Sequence, residues 1–192
     1  MPKRMNTVTK RLFDIIASAG GLIIFSTLFV VIIILIRRDS PGGAFFIQDR
    51  VGRDERVFKC IKFRTMAAGT PNVGSHNAQQ SWITPLGKKL RAIKLDELPQ
   101  LINVFKGEMS LVGPRPCLPS QSDVINARRA LNIFAVRPGM TGLAQVKSID
   151  MSTPIKLAAV DADYITRAGF FLDIGILIAT ASDGARGDAT VG

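Results

Sequence analysis

Two adjacent carboxylates, Asp96 and Glu97, carry the strongest chemical signal in the sequence. Taken alone they would indicate a helix start, because acidic residues in the first turn complement the helix dipole. Arg91, Arg115 and Arg137 change that interpretation, since a guanidinium suits the forked recognition of phosphate oxygens. The last two of these arginines stand beside prolines, which fix the backbone there. A carboxylate beside such cations predicts phosphoryl transfer, in which it serves as a metal ligand, a base or a nucleophile.

Other catalytic chemistries are disfavoured by the residues that the sequence lacks or scatters. No Gly-x-x-x-x-Gly-Lys-Ser/Thr motif is present, and the segment 139–142 has glycines but no lysine, which disfavours an ATP-dependent kinase or ATPase. The single histidine, His76, falls in a polar stretch at 67–80 that we interpret as a loop, and it suggests neither a hydrolase triad nor a metal site. Cys60 and Cys117 lack metal-type spacing and are expected to be free thiols in a reducing compartment.

Helices and a short β-hairpin must position these side chains. Thr84-Pro85 is typical of a helix start, with a hydroxyl cap and a proline in the first turn. Apolar spacings of three and four predict a second helix that begins at Leu95 and holds both carboxylates in its first turn. The remaining patterns predict a hairpin, a further helix and a short apolar segment that packs or lies in a membrane interface. The predicted segments are strands at 44–48 and 57–63, helices at 84–93, 95–105 and 120–134, and the interfacial segment at 170–181.

An apolar segment near the N-terminus, 12–36, predicts attachment to a membrane. Asp14 is its only ionisable residue. As a helix the segment would be roughly 35 Å long, against about 30 Å for the hydrocarbon core of a bilayer. Basic residues flank both ends, which indicates that both ends face the cytoplasm. These residues are Lys3, Arg4, Lys10 and Arg11 before the segment, and Arg37 and Arg38 after it.

A helix that enters the membrane, bends and returns would keep both basic clusters on one side. Ser26 and Thr27 mark the predicted break, because hydroxyls can bond carbonyls that are freed where a helix breaks in lipid. A straight membrane helix is the main alternative, and a signal peptide or a buried core helix fits less well. The simplest partition is a membrane-anchoring helix-break-helix at 1–40 and one cytoplasmic domain at 41–192. The predicted fold class is mixed α+β (α/β), mostly helical beyond the re-entrant anchor, with a small β-hairpin and interfacial amphipathic helices.

Net charge limits the class of partner. The formal net charge of +10 favours anionic partners such as lipid headgroups, nucleotides, phosphorylated substrates or nucleic acid. Nucleic acid is the weakest of these, since the basic residues are spread along the chain with little aromatic interleaving. Two functional classes stay open on these grounds. One is an enzyme of phosphoryl transfer, and the other is a noncatalytic, membrane-bound adaptor whose basic face recruits anionic lipid or nucleic acid.

A series of short motifs stands in order along nearly the whole chain. They are Lys10-Arg11-Leu12-Phe13-Asp14, Gln48-x-Arg50-x-Gly52, Lys62-Phe63-Arg64-Thr65-Met66, Leu95-Asp96-Glu97-Leu98-Pro99-Gln100, Gly113-Pro114-Arg115-Pro116, Arg137-Pro138-Gly139-Met140-Thr141-Gly142, and Asp161, Tyr164 and Phe171-Leu172-Asp173. Each motif is weak alone. The ordered set resembles the bacterial sugar transferase family, the small monotopic phosphoglycosyl transferases that start glycan assembly on a polyprenol carrier.

The resemblance implies transfer of a sugar 1-phosphate from a UDP-sugar to undecaprenyl phosphate, with release of UMP. In that family the aspartate of the Asp-Glu pair is the nucleophile, a role that carries over to Asp96 and implies a covalent aspartyl-phosphosugar intermediate. The glutamate assists magnesium binding, which carries over to Glu97 and implies Mg²⁺ held at both carboxylates. Magnesium prefers carboxylate and phosphate oxygens, so elementary chemistry agrees with this implication.

Further site residues follow from the same resemblance. The implied phosphate-binding residues are Arg91, Arg115 and Arg137, with Lys62 and Arg64 as helpers. Asp161 and Tyr164 match a segment of the nucleotide-sugar region. Ser26-Thr27 stands where the family commonly has Ser-Pro, and Leu143 stands where a tryptophan is usual, so the bend and the choice of sugar stay open.

The resemblance also implies where the protein works and with what partners. The expected location is the bacterial inner (cytoplasmic) membrane, with the catalytic domain among lipid headgroups on the cytoplasmic face. The expected partners are a UDP-sugar, undecaprenyl phosphate and membrane lipids, with no nucleic acid. Whether the chain forms a homodimer, and which glycan pathway it serves, the sequence leaves open.

Overall fold

The computed structural model describes residues 7–67, 69–70 and 80–182. Over these residues the chain is mixed α+β, mostly helical with a small antiparallel hairpin, which confirms the predicted fold class at that level. The helices are α1 (Thr7–Ile24), α2 (Ser26–Asp39), α3 (Pro85–Ala92), α4 (Gln100–Lys106), α5 (Ser122–Ala130), α6 (Leu143–Val146), α7 (Pro154–Arg167) and α8 (Phe170–Ser182). The strands are β1 (Phe45–Val51), β2 (Val57–Phe63), β3 (Ser110–Val112) and β4 (Gly139–Thr141). Lys3, Arg4 and His76 lie outside the described residues, as does most of the predicted loop at 67–80.

The apolar N-terminal segment consists of two helices, α1 and α2, which meet at Phe25 with a bend of 60°. The bend lies one residue before the predicted Ser26-Thr27 break. Phe25 closes one helix and opens the next, since its N–H donates to Gly21 O and its own carbonyl oxygen accepts from the Phe29 N–H, each at 2.9 Å. Among the described helices none is long and apolar enough by itself to cross a bilayer, whereas this bent pair passes by length and composition. Re-entry into the membrane stays a prediction.

One face of α1 is fastened to the chain that follows. Asp14 is 2 % exposed, and its Oδ1 accepts hydrogen bonds from Ser110 Oγ at 3.1 Å and from the Leu111 N–H at 3.0 Å. Arg11 donates to two carbonyl oxygens in the last turn of α4, where a cation also complements the helix dipole. The first helix is therefore packed against β3 and α4, next to the chain that carries the predicted site.

The hairpin pairs β1 with β2 antiparallel over all seven residues of each strand. Strand β2 has its predicted bounds, but β1 runs to Val51, beyond the predicted 44–48. The polar residues at the end of β1 pair with β2 instead of forming a turn. Asp49 stands opposite Lys59, and their charged groups lie 2.8 Å apart. This extension places Arg50 in the interior, where it is 8 % exposed.

A second, parallel pair of strands, β3 and β4, is absent from the predicted elements. Ser110 pairs with Gly139, and Val112 pairs with Thr141. Each strand has only three residues, too few for an alternation signal, and a helix separates them along the chain. Gly139 is required by close approach, since a Cβ there would lie 2.1 Å from the Gly113 nitrogen. The parallel pair holds together the two proline-flanked arginine turns that adjoin it.

The prediction of an α-helix at 95–105 is wrong for the first turn of that segment. Leu95–Glu97 is a 3₁₀ turn that is entered through Lys94 in the left-handed conformation, with φ of 56°. The α-helix begins only at Gln100. Pro99 has no N–H to donate to Leu95 O, and the Leu98 N–H donates to that oxygen instead at 3.2 Å, which closes a 3₁₀ turn. The apolar spacing therefore continues across a turn that is not α-helical. The two carboxylates therefore precede α4 instead of lying in its first turn.

The other helices agree more closely with prediction. Thr84 caps α3 as predicted, because the Gly87 N–H donates to Thr84 Oγ1 at 2.9 Å. Helix α5 is shorter than the predicted 120–134, because it is followed by a separate 3₁₀ turn that begins after a left-handed residue, Asn132. The segment predicted at 170–181 is the short apolar helix α8.

Candidate active site

The two carboxylates lie in the 3₁₀ turn between α3 and α4, against strand β2. Asp96 is 8 % exposed. Glu97 is held by two cations at one oxygen, since Lys62 Nζ donates to Glu97 Oε1 at 2.6 Å and Arg115 Nη2 donates to the same atom at 2.7 Å. All three charged side chains are largely shielded from solvent. The structure thus brings together four of the residues that the sequence predicts for the site.

Two rigid elements aim these cations at the turn. Side chains two residues apart on a strand share a face, so Lys62 lies on the same face of β2 as Cys60, which is buried. Arg115 comes from the turn after β3, where prolines on both sides fix the backbone. A strand and a proline-fixed turn therefore each deliver one cation to the same carboxylate.

The surroundings separate the pKa values of the two carboxylates. Burial and the neighbouring Glu97 charge raise the pKa of Asp96 to about 6, against the opposing charges of Lys62, Arg91 and Arg115. Burial also acts to raise the pKa of Glu97, but the charges and hydrogen bonds of Arg115 and Lys62 hold that pKa below its usual range. Glu97 is thus a fixed anion, while Asp96 is an anion at neutral pH that takes up a proton in mild acid. Such divergence is typical of catalytic carboxylate pairs.

Arg91 and Arg50 complete the positive side of the site. Arg91, in the last turn of α3, donates Nε to Thr65 Oγ1 at 2.9 Å, and its charge lowers the pKa of Asp96. Arg50 donates Nη1 to Pro116 O at 3.1 Å. Burial, followed by the charge of Arg115, lowers the pKa of Arg50. One cleft is lined by Arg50, Cys60, Lys62, Gln100, Arg115, Pro116 and Gly139.

Arg50 is not among the residues that sequence reasoning assigns to the site. Its signal lies in the motif Gln48-x-Arg50-x-Gly52, in which residues two apart on a strand face the same side. Gln48 and Arg50 are both buried. A buried polar alternation on a hairpin strand is the feature that could have identified this arginine.

Two predicted phosphate-binding residues contact other parts of the chain. Arg64 donates to the carbonyl oxygens of Ser40 at 2.7 Å and Pro41 at 2.6 Å, just after α2. Arg137 donates Nε to Gly107 O at 2.8 Å, beyond the C-terminal end of α4. Within the described part of the chain, neither arginine forms a hydrogen bond or ion pair with the carboxylate pair. Their phosphate-binding roles stay predictions.

Asp161 and Tyr164 are buried residues of α7. Arg128 Nε donates to Asp161 Oδ2 at 3.0 Å. The Tyr164 hydroxyl donates to Asp173 Oδ1 at 2.8 Å, and Asp173 also pairs with Lys10. Burial, followed by the Asp173 charge, raises the pKa of Tyr164, so its hydroxyl stays protonated. Both residues therefore sit in buried polar contacts, and a role beside a nucleotide sugar stays a prediction.

Comparison with known protein families decides the assignment. The family model described as bacterial sugar transferase matches residues 5–187. The chain belongs to the bacterial sugar transferase family. This confirms the resemblance that the ordered motifs indicate.

Curated relatives of this sugar transferase align with most of its length. The exopolysaccharide production protein ExoY of Rhizobium meliloti is 33 % identical over 190 residues, which cover 90 % of this chain and 84 % of the relative. The UDP-glucose:undecaprenyl-phosphate glucose-1-phosphate transferase of Caulobacter vibrioides is 35 % identical over 189 residues, which cover 94 % and 71 %. The undecaprenyl-phosphate galactose phosphotransferase of Salmonella typhimurium is 36 % identical over 208 aligned residues, which cover 98 % of this chain and 43 % of the relative. The sugar transferase is an enzyme, and the noncatalytic adaptor is set aside.

The carboxylates of this sugar transferase can be tested against the expected magnesium ion. Within the described residues, no group of three or more histidine, cysteine, aspartate or glutamate side chains could hold a metal. Magnesium is commonly bound through one or two carboxylates together with substrate phosphates and waters. Asp96 and Glu97 supply two carboxylates beside cations suited to phosphate. These residues fit a magnesium ion shared with a diphosphate rather than one enclosed by protein ligands.

Proposed function

We propose that this sugar transferase moves a sugar 1-phosphate from a UDP-sugar to undecaprenyl phosphate and so starts the assembly of a glycan. The observation that carries the proposal is the buried Asp96 carboxylate with its raised pKa, next to a Glu97 that Lys62 and Arg115 hold. The names of the relatives from Caulobacter vibrioides and Salmonella typhimurium include undecaprenyl phosphate and the transfer of a sugar phosphate, which supports these substrate classes.

In the first step an Asp96 oxygen attacks the phosphorus that bears the sugar. The bond from that phosphorus to the bridging oxygen of the diphosphate breaks, and UMP leaves with the bonding electron pair. An aspartyl-phosphosugar remains on the protein. The reaction needs ionised Asp96, and a pKa of about 6 keeps it ionised at neutral pH while making it more basic than an ordinary aspartate.

In the second step a phosphate oxygen of undecaprenyl phosphate attacks the same phosphorus. The acyl phosphate bond to Asp96 breaks, the carboxylate is regenerated, and the sugar becomes linked to the lipid through a diphosphate. Covalent catalysis divides one difficult displacement into two. It also allows a soluble donor and a lipid acceptor to use one site in turn.

The cations of the cleft are suited to hold the phosphates during both steps. Arg115 and Lys62 carry several N–H donors, and Arg115 can bind phosphate oxygens with a planar fork. Arg91 lies where its charge acts on Asp96. A magnesium ion, when bound at Asp96 and Glu97, would supply further neutralisation of the diphosphate. These positive groups offset the repulsion between an anionic carboxylate and an anionic substrate.

The proposal includes a re-entrant anchor at 1–40 and a catalytic domain at 41–192 on the cytoplasmic face of the bacterial inner membrane. Basic residues at both ends of the apolar segment and the 60° bend between α1 and α2 support this topology. The exposed apolar side chains are Val8, Leu12, Ile16, Ile23 and Ile24 on α1, and Val30, Val31, Ile34 and Leu35 on α2. A returning anchor would keep Asp96 close to the depth of the carrier lipid phosphate.

The test is UMP release by purified protein that is given magnesium, undecaprenyl phosphate and a panel of UDP-sugars. We expect release with at least one sugar. Asp96→Asn should abolish it, because an amide is a poor nucleophile. The matched control is Asp49→Asn, which changes an exposed carboxylate paired with Lys59 and should keep the parental activity. The proposal would be refuted if no UDP-sugar of a broad panel led to UMP release, or if the Asp96→Asn variant were fully active.

A further inference from the structure

Asp161 and Arg128 form a buried ion pair next to the turn that carries Arg115. Their side chains are 3 % and 2 % exposed. Arg128 Nε donates to Asp161 Oδ2 at 3.0 Å, and Arg128 Nη2 lies 2.8 Å from the same oxygen. Arg128 Nη1 donates to the carbonyl oxygen of Arg115 at 2.7 Å. A single guanidinium thus joins helix α7 to a residue of the candidate site.

The turn around Arg115 is held through its carbonyl oxygens. Its two prolines have no N–H, so the turn offers mainly acceptors. Four consecutive carbonyl oxygens each accept a hydrogen bond from another part of the chain: Pro114 from the Gly139 N–H at 2.9 Å, Arg115 from Arg128 Nη1 at 2.7 Å, Pro116 from Arg50 Nη1 at 3.1 Å, and Cys117 from the Val51 N–H at 2.9 Å. Since a buried carbonyl without a donor is costly, these four bonds fix where the turn lies.

We propose that Arg128 and Asp161 are positioning residues for the Arg115 side chain. Asp161 orients Arg128, Arg128 holds the Arg115 carbonyl, and the Arg115 side chain thereby meets Glu97 and the substrate phosphate. The inference rests on the proposed function. It gives Asp161 an influence on the reaction that needs no contact with the nucleotide sugar.

Arg128 is the better of the two side-chain donors for a test. Arg50 also holds the turn, but it lines the cleft, so its removal would mix positioning with a direct effect on the substrate. Arg128 is not part of that cleft lining. A change in activity after its removal therefore reports on the turn.

Both partners must be replaced together. Removing one alone would leave an unpaired buried charge and destabilise the fold, whereas apolar residues of similar volume often replace a buried ion pair without loss of stability. The test variant is accordingly Arg128→Met/Asp161→Leu. The matched control is Arg129→Met/Glu55→Gln. Arg129 follows Arg128 on α5, and its exposed Nη2 lies 2.6 Å from Glu55 Oε2. Among the described residues Arg129 forms no hydrogen bond with the Arg115 turn.

The measurements are the melting temperature and kcat/KM for UMP release, in the parent and in an Arg115→Ala background. We expect a folded test variant whose kcat/KM falls by about 10- to 100-fold, by analogy with the loss of a group that orients a metal ligand. The control variant should behave like the parent. In the Arg115→Ala background the same double substitution should have little further effect, since the side chain it positions is gone.

A folded test variant with parental kcat/KM would overturn the inference. So would an undiminished loss in the Arg115→Ala background, because the effect would then bypass Arg115. If the double variant unfolds, Arg128→Lys gives the same comparison, since it keeps a cation for Asp161 without the planar fork that reaches two partners. Failure of the proposed function is distinguishable, because the parent itself would then release no UMP.

Discussion

At the residue scale, the surroundings of Asp96 set its reactivity. An aspartate in water has a pKa of about 3.9, and burial together with the Glu97 charge raises the value here to about 6. Lys62, Arg91 and Arg115 limit the rise, so the carboxylate is still ionised at neutral pH. The site thus combines two anions. Glu97 is held by Arg115 and Lys62, and the more basic Asp96 is available for attack.

A dependence on pH follows from this pKa. We expect kcat/KM for the UDP-sugar to fall about tenfold per pH unit below about pH 6, because protonated Asp96 is not a nucleophile. The profile is measured with the donor varied and the carrier lipid saturating. This choice matters because a phosphate monoester such as undecaprenyl phosphate also titrates at about pH 6, whereas the diphosphate diester of the donor does not.

The variant Glu97→Gln tests in which direction the Glu97 charge shifts the pKa of Asp96. Removal of the Glu97 charge removes one cause of the raised pKa of Asp96, and it leaves Lys62 and Arg115 free to stabilise the Asp96 anion. The acid limb of the variant should therefore lie at lower pH than that of the parent, whatever its maximal rate. Two results would contradict a pKa of Asp96 that the Glu97 charge raises. One is an acid limb of the parental kcat/KM profile at the ordinary aspartate value of about 3.9, and the other is a shift of the Glu97→Gln limb to higher pH.

The sequence predicts some site residues and not others, for a physical reason. Lys62, Arg115 and the two carboxylates stand in local motifs. In the structure Lys62 and Arg115 contact Glu97, and their charges act on Asp96. Arg50 and Arg128 act instead through single hydrogen bonds to backbone carbonyls 66 and 13 residues away. Local residue types and spacing carry no information on which carbonyl a buried arginine reaches.

At the scale of elements, α1 is held against β3 by one buried carboxylate. We expect Asp14→Ala to lower the free energy of unfolding by about 1–3 kcal/mol, because Ser110 Oγ and the Leu111 N–H lose a buried acceptor. The measurement is denaturant unfolding in detergent micelles. Asp14→Asn is the matched control, since its amide oxygen can still accept, and it should lose less. Parental stability for Asp14→Ala would mean that these hydrogen bonds do not hold the helix.

Elements defined by local signals are predictable, and those defined by distant pairing are not. The cap at Thr84 and the bounds of β2 follow from neighbouring residues. The 3₁₀ turn at Leu95–Glu97 is entered through Lys94 in the left-handed conformation, which the residue type of Lys94 does not indicate. The β3–β4 pair depends on contact between two three-residue segments far apart in the chain. The turn and the strand pair both position the site, which is why its exact geometry escapes the sequence pattern.

At the scale of the whole molecule, the central question is which side of the membrane holds the N-terminus. We expect cysteines introduced as Pro2→Cys and Gly43→Cys to resist a membrane-impermeant maleimide in intact cells and to react after permeabilisation, because a re-entrant anchor keeps both ends in the cytoplasm. Position 43 has open space around its Cβ position. Background labelling should be low, since Cys60 and Cys117 are buried.

A spanning helix would give a different labelling pattern. One of the two introduced cysteines would then react from outside intact cells, and the other would not. Labelling of Pro2→Cys from outside would overturn the re-entrant anchor. The family assignment would be unaffected, because it rests on the match over residues 5–187.

A covalent intermediate on Asp96 is tested by the mass of the protein after incubation with magnesium and an accepted UDP-sugar, without undecaprenyl phosphate. We expect a mass increase of one sugar phosphate on the peptide that contains Asp96, with one equivalent of UMP released. Addition of undecaprenyl phosphate should discharge the adduct, and Asp96→Asn should form none. UMP release that requires both substrates together, with no adduct at any time, would contradict a covalent intermediate on Asp96.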